Sequence, residues 1–113
     1  MFRRVPTVDI AEARRLLDDG AQLLDVRRDD EWRAGHAPEA QHIPLDQLRA
    51  RSGEVPTDQQ VVAVCRTGAR SGQATQFLRG AGLDVVNLDG GMQAWAHTGG
   101  DVVRDDGGHG YVA

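Results

Sequence analysis

Five consecutive apolar residues, Val61-Val62-Ala63-Val64-Cys65, run straight into a short cationic loop, Arg66-Thr67-Gly68-Ala69-Arg70, and from there into a helical pattern. A run of that length is too short for a stable helix. Mostly β-branched and without polar alternation, it predicts a strand buried on both faces, as in the centre of a parallel sheet. Parallel neighbours require crossover connections, so the rest of the chain must alternate strands with helices, joined with right-handed chirality.

The remaining pattern meets that demand. Asp9 with Glu12 three residues later reads as a capped helix start, and Ile10, Ala13, Leu16 and Leu17 follow at helical spacing until Gly20. Residues 22–26 read as a buried strand, followed by the polar run Arg27-Arg28-Asp29-Asp30-Glu31 and a helical turn carrying Trp32. The turn Gly35-His36-Ala37-Pro38 breaks it; residues 41–44 read as short and extended, and residues 45–51 as another helix before Gly53 and Pro56. After the loop, residues 70–80 place Ala74, Phe77 and Leu78 on one helical face with Gly82 as the stop. Residues 83–88 supply a further strand, Asp89-Gly90-Gly91 a tight turn, and residues 92–96 a last helical turn.

A chain of 113 residues, 40% hydrophobic and 27% charged, suits one globular domain with a single core. We place that domain at 1–103 and a tail at 104–113. From Thr98 onward glycines interleave with acids and little can be buried, so the tail is expected to be loosely packed and disordered beyond Val103. The apolar runs fall far short of the roughly 18 residues that cross a bilayer. The opening Met1-Phe2-Arg3-Arg4 carries a basic pair without an apolar region behind it, which gives no support for a secretory leader. The expected compartment is therefore cytoplasmic, and no membrane partner is expected. A net charge of −4 argues against a general polyanion binder, so no nucleic-acid partner is expected either. All 13 basic residues are arginine, which reads first as compositional bias.

A single cysteine can form neither an internal disulfide nor a cysteine-rich metal site. Cys65 is therefore either buried filler, the commonest role of a free cysteine, or a reagent. Position favours the reagent. Ligands of open α/β sheets sit beyond the carboxyl ends of the strands, and Cys65 closes the central one. The loop that follows can turn several backbone N–H groups toward the sulfur, and the helix N-terminus adds partial positive charge. Arg66 and Arg70 add two full charges, so the thiolate is expected to be favoured and the thiol pKa lowered.

At these residues the chain resembles a known family, the rhodanese-like (thiosulfate sulfurtransferase-like) domain in its small single-domain form. Cys65-Arg66-Thr67-Gly68-Ala69-Arg70-Ser71 is similar to the family's active-site loop. Leu24-Asp25-Val26-Arg27, Glu31-Trp32 and Gly35-His36-Ala37-Pro38 resemble its N-terminal signature, and Leu88-Asp89-Gly90-Gly91-Met92-Gln93-Ala94-Trp95 its C-terminal one. The three segments occur in the right order over about residues 6–103, far more specific than a lone Cys-x4-Arg. Departures fall at Glu39, where the family has glycine, at His42, and at Asp101, where proline is common.

The resemblance implies an α/β three-layer domain with a central, mostly parallel sheet flanked by helices. It also implies sulfur transfer: Cys65 attacks the outer sulfur of a donor and becomes a persulfide, which an acceptor discharges. Cys65 is then the catalytic residue, and Arg66, Thr67, Gly68, Ala69 and Arg70 bind the substrate. With no second thiol in the chain, the sulfur must leave to an external acceptor in a ping-pong cycle. The implied partners are an anionic small-molecule donor, thiosulfate or a low-molecular-weight persulfide, and a thiol or cyanide acceptor, with a protein acceptor left open. No cofactor is expected.

Two rivals share the outline. Cysteine-dependent phosphatases and arsenate reductases also run a cysteine loop into a helix, but with five residues between cysteine and arginine, against four from Cys65 to Arg70. A rhodanese-fold binding or sensor module without turnover is the other, although such members commonly lose the cysteine. Asp25 and Arg27 are supporting candidates that orient the loop or bind a donor anion, with a structural ion pair as the plainer reading. His36 reads as a structural hydrogen-bonding residue, and Trp32 and Trp95 as packing residues. His42, His97 and His109 lack ligand spacing, and Asp105-Asp106-Gly107-Gly108-His109 reads as a solvated tail, so no metal is expected.

Overall fold

The computed structural model describes residues 5–113; the basic pair Arg3-Arg4 and the first four residues of the 1–103 domain lie outside the described residues. Five parallel strands form one sheet: β1 (Thr7–Val8), β2 (Gln22–Asp25), β3 (Gln41–His42), β4 (Val61–Val64) and β5 (Val85–Leu88), in the spatial order β1-β5-β4-β2-β3. The apolar run is indeed central. Within it, Val61, Ala63 and Cys65 pack toward α3 (Leu48–Arg51) and α4 (Ala69–Gly80), beside Leu48, Ala74 and Leu78. Val62 and Val64 pack the other way, with Ala13 of α1 (Ile10–Asp18) and Met92 of α5 (Gly91–His97). Layers on both faces explain why β4 shows no polar alternation. A short α2 (Asp29–Ala34) follows β2 at the carboxyl edge of the sheet.

Local chemistry sets the element ends. Asp9 Oδ1 accepts the Glu12 N–H at 2.9 Å, the cap expected for α1. At the end of α4 the Gly82 N–H reaches the Arg79 carbonyl at 3.0 Å and the Leu83 N–H the Leu78 carbonyl at 3.1 Å, a Schellman closure. The helix expected over 45–51 is instead a 3₁₀ turn, Leu45–Gln47, leading into α3 and a second 3₁₀ turn, Ser52–Glu54. The edge strand β1 was not foreseen, because two residues carry no periodicity. Among the described residues no helix is long and apolar enough to cross a membrane.

The loosely packed tail is corrected by the structure. Val103 and His36 exchange backbone hydrogen bonds at 2.8 and 2.9 Å, and the Tyr111 N–H donates to the Ala34 carbonyl at 3.0 Å. Asp105 meets the His36 ring at 2.8 Å, and Val112 packs on the α1/α5 side of the core. The glycines here serve close approach rather than looseness: a Cβ on Gly110 would stand 2.6 Å from the Gly35 Cα. Segment 104–113 therefore lies as a strap over the end of α2, held by backbone pairing that hydrophobicity does not reveal.

Candidate active site

Cys65 is the first residue beyond β4, and only 1% of it is exposed. Its carbonyl accepts the Met92 N–H at 2.8 Å, and the Arg66 carbonyl accepts the Gln93 N–H at 3.1 Å. The first turn of α5 thus clamps the start of the loop from behind. That contact explains the Asp89-Gly90-Gly91 turn, since a Cβ at Gly91 would run into the carbonyl oxygens of Cys65 and Arg66.

The loop then folds back over the sulfur. The Gly68 N–H donates to Cys65 Sγ at 3.1 Å, and the Ser71 hydroxyl lies 3.3 Å from it, both in the arc that opens α4. Burial pushes the Cys65 thiol up. The Ser71 hydroxyl and the backbone N–H groups of Ser71, Gly68 and Thr67 act against this, and the net result lies below the ordinary thiol value. Such an arc of donors suits an anionic sulfur.

The expected loop residues divide by position. Arg66, Thr67 and Ala69 are exposed at the rim, Gly68 is half-buried against the sulfur, and Arg70 is half-buried with its guanidinium on another partner. Arg70 forms a bidentate pair with Glu31 of α2 at 2.6 and 2.9 Å. This hydrogen-bonded pair overcomes the cost of burying the carboxylate and holds Glu31 down at about 2. Glu31 also accepts the Arg28 N–H at 3.1 Å, so one side chain caps α2 and anchors the Cys65 loop. Asp25 and Arg27 form a fully buried ion pair, with contacts of 2.8 to 3.1 Å, and Arg27 reaches on to the Gly35 carbonyl at 2.8 Å. Neither side chain is exposed at the surface. Trp32 stacks between His36, at 3.6 Å, and His42, at 4.5 Å, beside the docked strap.

Three contributors were given no role from sequence: Glu31, Ser71 and Asn87. Asn87 Oδ1 accepts the Ser71 hydroxyl at 2.6 Å while Asn87 Nδ2 donates to the Gly68 carbonyl at 3.1 Å. A polar residue inside the apolar strand 83–88 was the available signal, because a buried amide demands partners.

The Rhodanese-like domain family model matches residues 9–98. The chain belongs to the rhodanese-like domain family. A sulfurtransferase of Allochromatium vinosum is 39% identical over 84% of this chain and 91% of its own length. Protein YqhL of Bacillus subtilis is 45% identical over 66% of this chain and 60% of its own length. Among solved structures, a rhodanese-related protein of Thermoplasma volcanium superimposes with a TM-score of 0.81 at 30% identity, covering 87% of this chain and 97% of that one. Sulfur transfer is the chemistry that the family and its named members support, and the parallel sheet with its flanking helices is the rhodanese fold.

Proposed function

We propose that this rhodanese-like domain moves sulfane sulfur from an anionic donor to a thiol or cyanide acceptor through a persulfide on Cys65. The observation that carries this reading is one buried sulfur that accepts the Gly68 N–H at 3.1 Å and lies within reach of the Ser71 hydroxyl at 3.3 Å. The Cys65 thiolate attacks the outer sulfur of thiosulfate or of a low-molecular-weight persulfide. The donor's bond to that sulfur breaks, its electron pair leaves with sulfite or with the donor thiolate, and Cys65 carries the sulfur. A thiol or cyanide, or a protein thiol, then attacks the outer sulfur, and Cys65 Sγ departs as the thiolate.

In this reading Cys65 is catalytic, the backbone of Thr67, Gly68 and Ala69 lines the cradle, and Arg66 is the exposed cation that draws the anionic donor. Arg70 acts by holding the loop to Glu31, and the Asp25–Arg27 pair acts beneath it as a support. A loop of four residues, with its arginine committed to Glu31, suits one sulfur better than a tetrahedral phosphate.

Intact-mass spectrometry after incubation with thiosulfate, 3-mercaptopyruvate or glutathione persulfide tests the proposal. The expected result is a gain of one sulfur atom, reversed by cyanide or dithiothreitol and absent in Cys65→Ser. No gain with any donor makes the domain a binding module. Phosphate-ester turnover lost in Cys65→Ser, without any sulfur gain, makes it a phosphatase.

A further inference from the structure

The Ser71 hydroxyl has one proton and three acceptors within reach: Asn87 Oδ1 at 2.6 Å, Cys65 Sγ at 3.3 Å and the Gly68 carbonyl at 3.3 Å. The Asn87 amide cannot be flipped to relieve the competition. Its Nδ2 faces the Gly68 carbonyl at 3.1 Å, which only accepts, so Oδ1 must face Ser71. Both side chains are enclosed, Ser71 fully and Asn87 to all but 7%, so bulk water cannot readily substitute for a missing partner. The shortest contact takes the proton. A Ser71 hydroxyl that rests on Asn87 in the thiol state leaves a lone pair free to accept the Cys65 S–H.

We propose that Asn87 is a positioning residue that withholds the Ser71 proton from Cys65 and yields it when negative charge builds on Sγ. Resting on the persulfide reading above, the moment of release is discharge: the acceptor bonds to the outer sulfur, the S–S electron pair passes to Sγ, and the Ser71 hydroxyl turns from Asn87 to meet it. Turning leaves Asn87 Oδ1 unpaired in the interior, which keeps the resting thiolate from being stabilised as far as the arc of donors allows. Asn87 thereby moderates Cys65: the Ser71 bond to the thiolate, before attack and again on departure, forms only at the expense of the Asn87 bond.

The charged groups around the sulfur are Arg66 and Arg70 of the loop, Glu31 of α2 held by Arg70, and Asp25 of β2 held by Arg27. The strand β5 and the α5 turn Gly91-Met92-Gln93 carry no charge. Variants at 71 and 87 alter none of these groups.

The test is the pH dependence of iodoacetamide alkylation of Cys65, which requires no sulfur donor and so stands whether or not the chain proves to transfer sulfur. Ser71→Ala is expected to raise the thiol pKa by about one unit, and Asn87→Leu to lower it by about half a unit to one unit. In the Ser71→Ala background, Asn87→Leu is expected to lose its downward shift, since that shift passes through the hydroxyl; what remains there is the loss of the Nδ2 bond to the Gly68 carbonyl, whose residue donates its N–H to Sγ and whose loosening does not lower the pKa. A pKa in Asn87→Leu equal to or above that of the wild type overturns the proposal, and so does an equal shift in both backgrounds.

The wild-type protein carries a second test that needs no variant at Asn87. Its one thiol gives a single infrared S–H band, expected at lower frequency than a free thiol and moving up in Ser71→Ala. A band at the free-thiol frequency in the wild type means that the Ser71 proton already rests on sulfur, and the proposal fails.

Discussion

Cys65 lies among side chains whose charges are mostly spent on one another. Arg70, a second cation for the donor in the sequence reading, is bound to Glu31, which leaves Arg66 as the exposed charge at the rim. The two arginines should therefore respond differently to replacement. Arg66→Ala is expected to raise the thiosulfate KM about two- to fivefold, the range of an exposed charge, with the unfolding midpoint unchanged. Arg70→Ala is expected to lower stability as well, because the Glu31 side chain, 5% exposed, loses the guanidinium that holds it. Steady-state kinetics beside denaturant titration separates the two effects. The same pair sets an acid limit. Glu31 is held at about 2 against an ordinary 4.5, so its contribution is complete above pH 4.5 and is lost as pH falls from there toward 2. The stability difference between wild type and Glu31→Gln is expected to be constant above about pH 5 and to shrink progressively below it. Denaturant midpoints measured across that range check the sign.

At the scale of elements, the Cys65 loop is held at both ends by secondary structure that follows it in the chain. Its start is clamped by the α5 N–H groups of Met92 and Gln93, and its finish is the first turn of α4. Gly91→Ala is expected to push α5 off the Cys65 and Arg66 carbonyls, costing about 2 kcal/mol or more from overpacking and strain. Persulfide loading should slow even under conditions where the variant remains folded, since the Cys65 carbonyl loses its anchor. Thermal unfolding and the rate of mass gain read these effects separately. The α2 element has a matching part, since its first-turn carboxylate caps the helix and ties the loop in one contact set.

For the whole molecule, the last ten residues complete the fold at the end of α2. Removing 104–113 takes away the Tyr111-to-Ala34 bond, the Asp105 contact with His36 and the packing of Val112. The truncated chain is expected to lose about 2 kcal/mol while still accepting sulfur, because Cys65 and its donors lie in the remaining segment. Urea unfolding with parallel mass spectrometry measures both. A truncation with unchanged stability would show that the strap contributes no net stability.

Sequence alone determined the parallel α/β order, the central place of β4, the position of Cys65 at its carboxyl end and the helix that follows. Each rests on local patterns: an apolar run, a capped start at Asp9, a closing glycine at Gly82. Only the tertiary structure decided which polar groups meet. Glu31 and Arg70 are 39 positions apart, Ser71 and Asn87 16, and His36 and Asp105 69. No period links such pairs, because the sheet order brings together segments distant along the chain. The Asp25–Arg27 pair, close in sequence, was legible as a pair but not as a buried one. The strap was missed for the same reason: backbone hydrogen bonds and glycine contacts are blind to side-chain hydrophobicity, on which the expectation of a loose tail rested.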